Sequence, residues 1–318
     1  MAYITGTVNS YDELISVLVS GCQDNGWTWA DGILSKGAAF VKVTVSPTAQ
    51  TGSGTPGSGI YIQGGTGKSG FALVSASDVQ PRLGRPRAHE NFAIVTWPAI
   101  YHLHIFTDPD EVFLVLNFDT QYCYWLAFGV SNVGGLPGTG LWLAGTAPVN
   151  APASATTGSG FSITPTEGYS PSGAAFHVSG FLNITNRNGT AALSFDGIHA
   201  DFDGLGWAGT ANTTSQNAFN AWYPAAPHLA MTPSAWNQDA PLLPIHGYVW
   251  RPENKCSLVL AVQNARYIRV DNYEVGDEIT LGTDKWRPYP FYLKNATVRD
   301  GGTYLNHTGT FGWAIRSN

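Results

Sequence analysis

YHLHIFTDPDEVFLVLNFDTQYCYWLAFGV, residues 101–130, decides the fold class. It holds three stretches of strand length, 101–106, 111–119 and 121–130, which alternate or run apolar and are parted by Asp108-Pro109-Asp110 and Asp119-Thr120. β-branched and aromatic residues broken by turn formers at that spacing predict an antiparallel meander. Upstream, Phe40, Val41, Val43 and Val45 form a further β-branched strand, preceded by the turn signals Asp31-Gly32 and Lys36-Gly37, and IYIQGG resumes a strand at Ile60. These segments set a sheet over 39–130.

One helix is expected, over residues 10–23. Leu14, Ile15, Val17, Leu18, Val19 and Cys22 recur at three-to-four spacing, Asn9-Ser10 offer an N-cap, Asp12 and Glu13 occupy the first turn, and Gly26 is a stop. Residues 46–59, SPTAQTGSGTPGSG, read as a flexible loop, and APVNAPASATTGSG at 147–160 marks a boundary between halves. Beyond it, short strand-like pieces broken by Gly, Asn, Asp and Pro alternate with long loops. The expected fold is mainly β, with antiparallel, sandwich-like sheets: a small α+β N-terminal part, 1–147, precedes a β C-terminal part with long loops, 160–318.

Composition narrows the function. Charged residues are 12 % of the chain, about half the usual share, against 37 Gly and 11 Trp, so much of the surface is uncharged and suited to contact with other subunits. A net charge of −6 without any Lys/Arg run argues against direct nucleic-acid binding. The start MAYITGTVNSYDEL has no basic-then-apolar leader and no stretch approaches membrane-spanning length, which predicts a protein made and left in the cytoplasm, without membrane insertion. Cys22, Cys123 and Cys256 lie far apart in apolar runs and read as reduced core thiols.

The motifs that could carry chemistry each meet an obstacle. GGTGKS at 64–69 ends like a phosphate-binding loop, but the leading Gly of that pattern would fall on Ile62, so it reads as a Gly-rich turn. His199, Asp201 and Asp203 in HADFDG share one face of a strand and are the weak candidates for a metal site, against a strand ending in an Asp-Gly turn. Asp108, Asp110 and Glu111 could pair for glycosidase chemistry, but DPDE between strands is first a turn. His102 and His104 alternate in YHLHIF and are expected as a satisfied surface or interface pair. Trp207, Trp222, Tyr223, Trp236, Trp250 and Trp286 could stack on sugar rings or anchor a protein interface. No catalytic residue and no cofactor is assigned, and the chain is read as a non-enzyme.

Three groups of phrases carry a resemblance. TGTVNSYDELISVLVSGCQDNGWTW with GILSKGAAFVKVTV and IYIQGGTG, then YHLHIFTDPDEVFLVLNFDTQYCYWLAFGVSNVGG, and finally RYIRVDNYEVGDEITLGTDKWRPYPFYLKN with HTGTFGWAIR, resemble virion structural proteins of tailed bacteriophages. The segment from about 135 to 245 contributes least. The resemblance implies a tail- or neck-associated component found in rings or fibres, whose partners are further copies of itself and other tail proteins. The expected place is the tail, near the baseplate. A neck or collar component, or a carbohydrate-binding adhesin at the tail tip that meets a host-surface glycan, is the alternative.

Overall fold

The computed structural model describes residues 1–46, 58–77, 80–84, 93–133, 138–146, 161–162, 197–199, 207–208, 219–220, 240–251, 255–294, 305–306 and 311–318. Among them the chain is mainly β, with a single helix. The meander read from 101–130 forms the middle of a seven-stranded sheet. Its order is β1 (Ala2–Val8), β9 (Ala99–Thr107), β10 (Asp110–Phe118), β11 (Tyr122–Val130), β12 (Leu141–Gly145), β14 (Gly197–His199) and β15 (Trp207–Ala208), all antiparallel where paired. Asp119 and Thr120, at φ 47° and 59°, make the tight turn between β10 and β11 that their position predicts.

A five-stranded sheet covers one face: β2 (Thr28–Ala30), β3 (Ile33–Lys36), β4 (Ala39–Ser46), β5 (Gly59–Gly65) and β8 (Arg82–Gly84). The helix α1 (Tyr11–Asp24) joins this layer. Its N-cap Ser10 accepts a hydrogen bond from the Glu13 amide at 3.1 Å, and the Glu13 carboxylate accepts from the Asn9 amide at 2.7 Å. Its stripe Tyr11, Leu14, Leu18 and Cys22 is buried, and it stops before Gly26, whose φ of 86° favours glycine. The hairpin β6 (Gly67–Ser69) with β7 (Ala72–Val74) stands as a separate two-stranded sheet, and β13 (Phe161–Ser162) pairs with β21 (Leu305–Asn306).

A six-stranded sheet covers the other face: β16 (Phe219–Asn220), β17 (Leu243–Arg251), β18 (Lys255–Arg269), β22 (Phe311–Arg316), β20 (Asp284–Pro290) and β19 (Ile279–Leu281). The central sheet is therefore buried on both sides, which explains why its strands read as nearly unbroken apolar runs. Val112, Leu114, Leu116 and Phe118 pack with the helix and the five-stranded sheet. Phe113 and Val115, between them in β10, pack with Val259, Tyr267, Tyr289, Trp313 and Ile315 of the six-stranded sheet. Trp125 donates its indole N–H to the Phe291 carbonyl at 2.9 Å and meets Trp313 at 4.8 Å between ring centres.

The expected boundary at 147–160 lies outside the described residues. Packing crosses it, because strands from the second half complete the core begun in the first. Cys22 and Cys123 are buried free thiols, and burial raises both thiol pKa values above their ordinary range. Among the described residues no helix is long and apolar enough to cross a membrane.

Candidate functional site

His102, His104 and Glu111 lie at the seam between the central and six-stranded sheets. Alternation along β9 turns Leu103 and Ile105 toward α1 and His102 and His104 toward the seam. The expectation of a satisfied surface or interface pair is thus corrected in place only: both histidines have hydrogen-bond partners, but they lie inside the chain. His104 is fully buried and His102 is 9 % exposed, because the six-stranded sheet covers the face on which they lie.

His104 is held at both ring nitrogens. Its Nδ1 lies 3.1 Å from the Arg316 carbonyl oxygen, which can only accept, so Nδ1 carries the hydrogen. Nε2 is then an acceptor, and Tyr289 donates its hydroxyl hydrogen to it at 3.0 Å. Beside it, His102 Nδ1 pairs with the Tyr3 hydroxyl at 2.9 Å, and Gly276, at φ 79°, brings its backbone against the His102 ring. The Arg287 guanidinium sits 4.7 Å from the centre of the Tyr3 ring. Burial, with the Arg287 charge, lowers His102 to about 4; burial, with His102 and Arg287, lowers His104 to about 3. Both rings are neutral struts at neutral pH.

At the other end of β9 the DPDE turn joins all three layers. Asp110 and Glu111 are adjacent on β10 and so face opposite ways. Asp110 pairs with Lys36 of the five-stranded sheet at 2.6 Å. Glu111 enters the other seam and meets an irregular point of β18, where Val262 and Arg266 stand opposite the adjacent residues Ile245 and Pro244 of β17. Gln263, Asn264 and Ala265 therefore lack β17 partners. The Glu111 carboxyl accepts from the amides of Gln263 and Asn264 at 2.8 and 2.9 Å, and from Asn264 Nδ2 at 2.9 Å. Arg266 Nη1 donates to the carbonyls of Gln263 and Ala265, each at 2.8 Å, and lies 3.4 Å from that of Val262. Carboxyl and guanidinium thus bind backbone groups at the bulge, where β18 is left without β17 partners over residues 263–265. Burial pushes Glu111 up to about 7, opposed by those donors and by Arg266.

Asp108 is exposed in its turn, so the three acids of DPDE do not converge across a cleft. GGTGKS runs from the end of β5 through β6 into a hairpin, with no helix to cradle a phosphate, as the failed spacing implies. His199 lies in β14, paired with Leu141 and Trp207, while Asp201 and Asp203 lie outside the described residues. Among the described residues no group of three His, Cys, Asp or Glu could hold a metal ion. Trp207 is in β15, Trp250 in β17 opposite Cys256, and Trp222, Tyr223 and Trp236 lie outside the described residues. Trp286 is corrected from a surface aromatic to a core one: it is 4 % exposed, packed with Ile268, Val270 and Ala314 beneath the Arg266 guanidinium at 5.0 Å.

Sequence reasoning missed Arg82, which is fully buried in β8 and donates to the Tyr61 hydroxyl at 2.8 Å. It also left Glu111 as one turn acid among three. The signal lay in the alternation: a polar residue in phase with Phe113 and Val115 must enter the same core. A scan of the chain against protein-family models and a search of the curated proteins each find no match.

Proposed function

We propose that this protein is a structural component of a tailed-bacteriophage virion, most naturally of the tail near its baseplate, and that it acts by symmetric self-association and docking onto neighbouring tail proteins. In this reading it catalyses nothing, binds no cofactor, and is made in the host cytoplasm before entering the particle. The observation that carries the reading is where apolar surface is presented. Phe71 is 74 % exposed at the end of the β6–β7 hairpin. Lys42 Nζ donates to its carbonyl at 3.1 Å, and Lys68 pairs with Asp31 at 3.2 Å, so the hairpin is tied to its base. Leu281, 61 % exposed, stands at the β19–β20 turn. An exposed aromatic held on a braced hairpin is suited to anchor an interface with a neighbour.

The acidic and imidazole groups at the seam support the same reading. Glu111 and His104 commit their hydrogen-bonding capacity to the protein's own backbone and side chains, which is the use expected of struts. The test is the location of the chain in a map of the particle, with the mass of the purified chain in solution. A ring or other cyclic oligomer that fits density in the tail bears the reading out. A stable monomer absent from virions overturns it.

A further inference from the structure

A strand at the end of an open sheet turns a row of backbone N–H and C=O groups outward, ready to pair with another chain. Among the described residues β1 is the long one, with 7 residues hydrogen-bonded to β9 alone. Every other strand at a sheet end has 2 or 3 residues. The β1 sequence AYITGTV holds neither charge nor proline, the residues that ordinarily blunt an edge. Thr5 and Thr7 are exposed, while α1 lies over the opposite face, where Gly21 packs against Ile4, Leu103 and Ile105.

The outward groups can be identified from Thr5. Its Oγ1 donates to the Tyr101 carbonyl at 2.8 Å, so that carbonyl points toward β1. Tyr101 stands opposite Gly6, and in an antiparallel ladder alternate opposing pairs exchange both bonds. Ala2, Ile4 and Gly6 therefore direct N–H and C=O to β9, and Tyr3, Thr5 and Thr7 direct theirs away from the sheet. Among the described residues the backbones of these three have no partner on that side.

We propose that β1 pairs with β1 of a second copy of this chain, antiparallel, about a two-fold axis through Thr5. This pairing rests on the self-association proposed above and supplies a contact for it. Tyr3 and Thr7 are spaced equally about Thr5, so Tyr3 meets the partner's Thr7 and Thr5 meets the partner's Thr5. Every such pair brings outward groups face to face, whereas a one-residue slip would set outward groups against inward ones. Uncharged strands meet no like charge across the axis, and the central threonines form a favourable cross-strand pair. The edge is also held ready: the Tyr3 hydroxyl pairs with His102 at 2.9 Å, Arg287 lies 4.7 Å from the Tyr3 ring centre, and Ile4 packs into the core beneath α1. A strand fixed in this way loses little freedom on pairing.

The test uses the full chain with Thr5→Lys and Thr5→Glu, each of which sets like charges opposite one another across the axis. By analytical ultracentrifugation at low salt, each variant should self-associate at least about fivefold more weakly than wild type. An equimolar mixture of the two should regain wild-type association, because Lys then faces Glu. In the wild-type protein, the amides of Tyr3, Thr5 and Thr7 should gain protection from hydrogen exchange as concentration rises, while those of Ile4 and Gly6 stay unchanged. If neither variant folds, this exchange pattern decides alone. Association that ignores both charges overturns the pairing, as do variants that weaken it without recovery on mixing, outward amides blind to concentration, or a wild-type chain that stays monomeric. Self-association through another surface removes this edge and leaves the virion reading standing; a monomer absent from virions removes both.

Discussion

Tyr289 donates its hydroxyl hydrogen to His104 at 3.0 Å, although 185 positions separate the two residues in the chain. The bond crosses from β20 to β9, so it couples the sheet begun by the first third of the chain to the one closed by the last. Tyr289→Phe removes the donor and leaves Nε2 of a buried imidazole without its hydrogen. The expected cost is about 1–3 kcal/mol of unfolding free energy, read as a lower urea midpoint at unchanged slope. An unchanged midpoint would show that the bond contributes nothing.

The pH dependence follows from three groups at the seam. His102 and His104 fall from 6.5 to about 4 and about 3, so their contribution is complete above pH 6.5 and is lost as pH drops through those lower values. Glu111 rises from 4.5 to about 7, so its contribution is complete below 4.5 and is lost as pH climbs to 7. Between 4.5 and 6.5 two protons are opposed by one, so these groups together give stability that increases with pH and peaks near 6.5. A tenfold difference in a group's proton affinity between the folded and unfolded chain is worth about 1.4 kcal/mol. Urea unfolding at half-unit pH steps checks this, and His102→Gln with His104→Gln should flatten the rise in that window, where His246, also lowered by burial and by the Arg266 charge, still opposes Glu111.

Gly312 of β22 faces the backbone of β20 so closely that an added Cβ would run into the Tyr289 carbonyl oxygen. Gly312→Ala must push β22 from β20, at a cost of about 3 kcal/mol or more. Gly282 has φ 63° and open space around it, so Gly282→Ala should cost only about 1 kcal/mol, through backbone strain. Thermal or urea unfolding of the two variants side by side distinguishes contact from conformation.

Phe71 tests the assembly reading without touching the core. Phe71→Ser should leave the urea midpoint within about 0.5 kcal/mol of wild type, since the side chain is mostly exposed, yet reduce oligomer formation or incorporation into particles. Light scattering and quantitation of the protein in purified virions provide the readouts. Wild-type assembly by the variant would remove this hairpin from the interface.

Much of the local structure was legible in the sequence. The helix from Tyr11, its Ser10 cap, the turns at Asp31-Gly32 and Asp119-Thr120, and the meander of β9 to β11 all follow from periodicity and turn chemistry within a few residues. The histidines were harder: alternation placed His102 and His104 on one face, but nothing local says that a sheet built from strands between 219 and 316 covers it. Trp286 shows the same gap, since a tryptophan after a turn reads alike whether it meets solvent or Ile268 and Ala314.

By itself, then, the sequence determined that the chain builds antiparallel sheets and the helix from Tyr11, because hydrogen-bonding period and turn propensity act over neighbouring residues. Only the tertiary structure decided which polar residues became struts. Asp110 and Glu111 are adjacent and chemically alike, yet one meets Lys36 and the other the β18 bulge. Their difference is made by two layers from distant parts of the chain, whose burial of one carboxyl and half-exposure of the other no local pattern encodes.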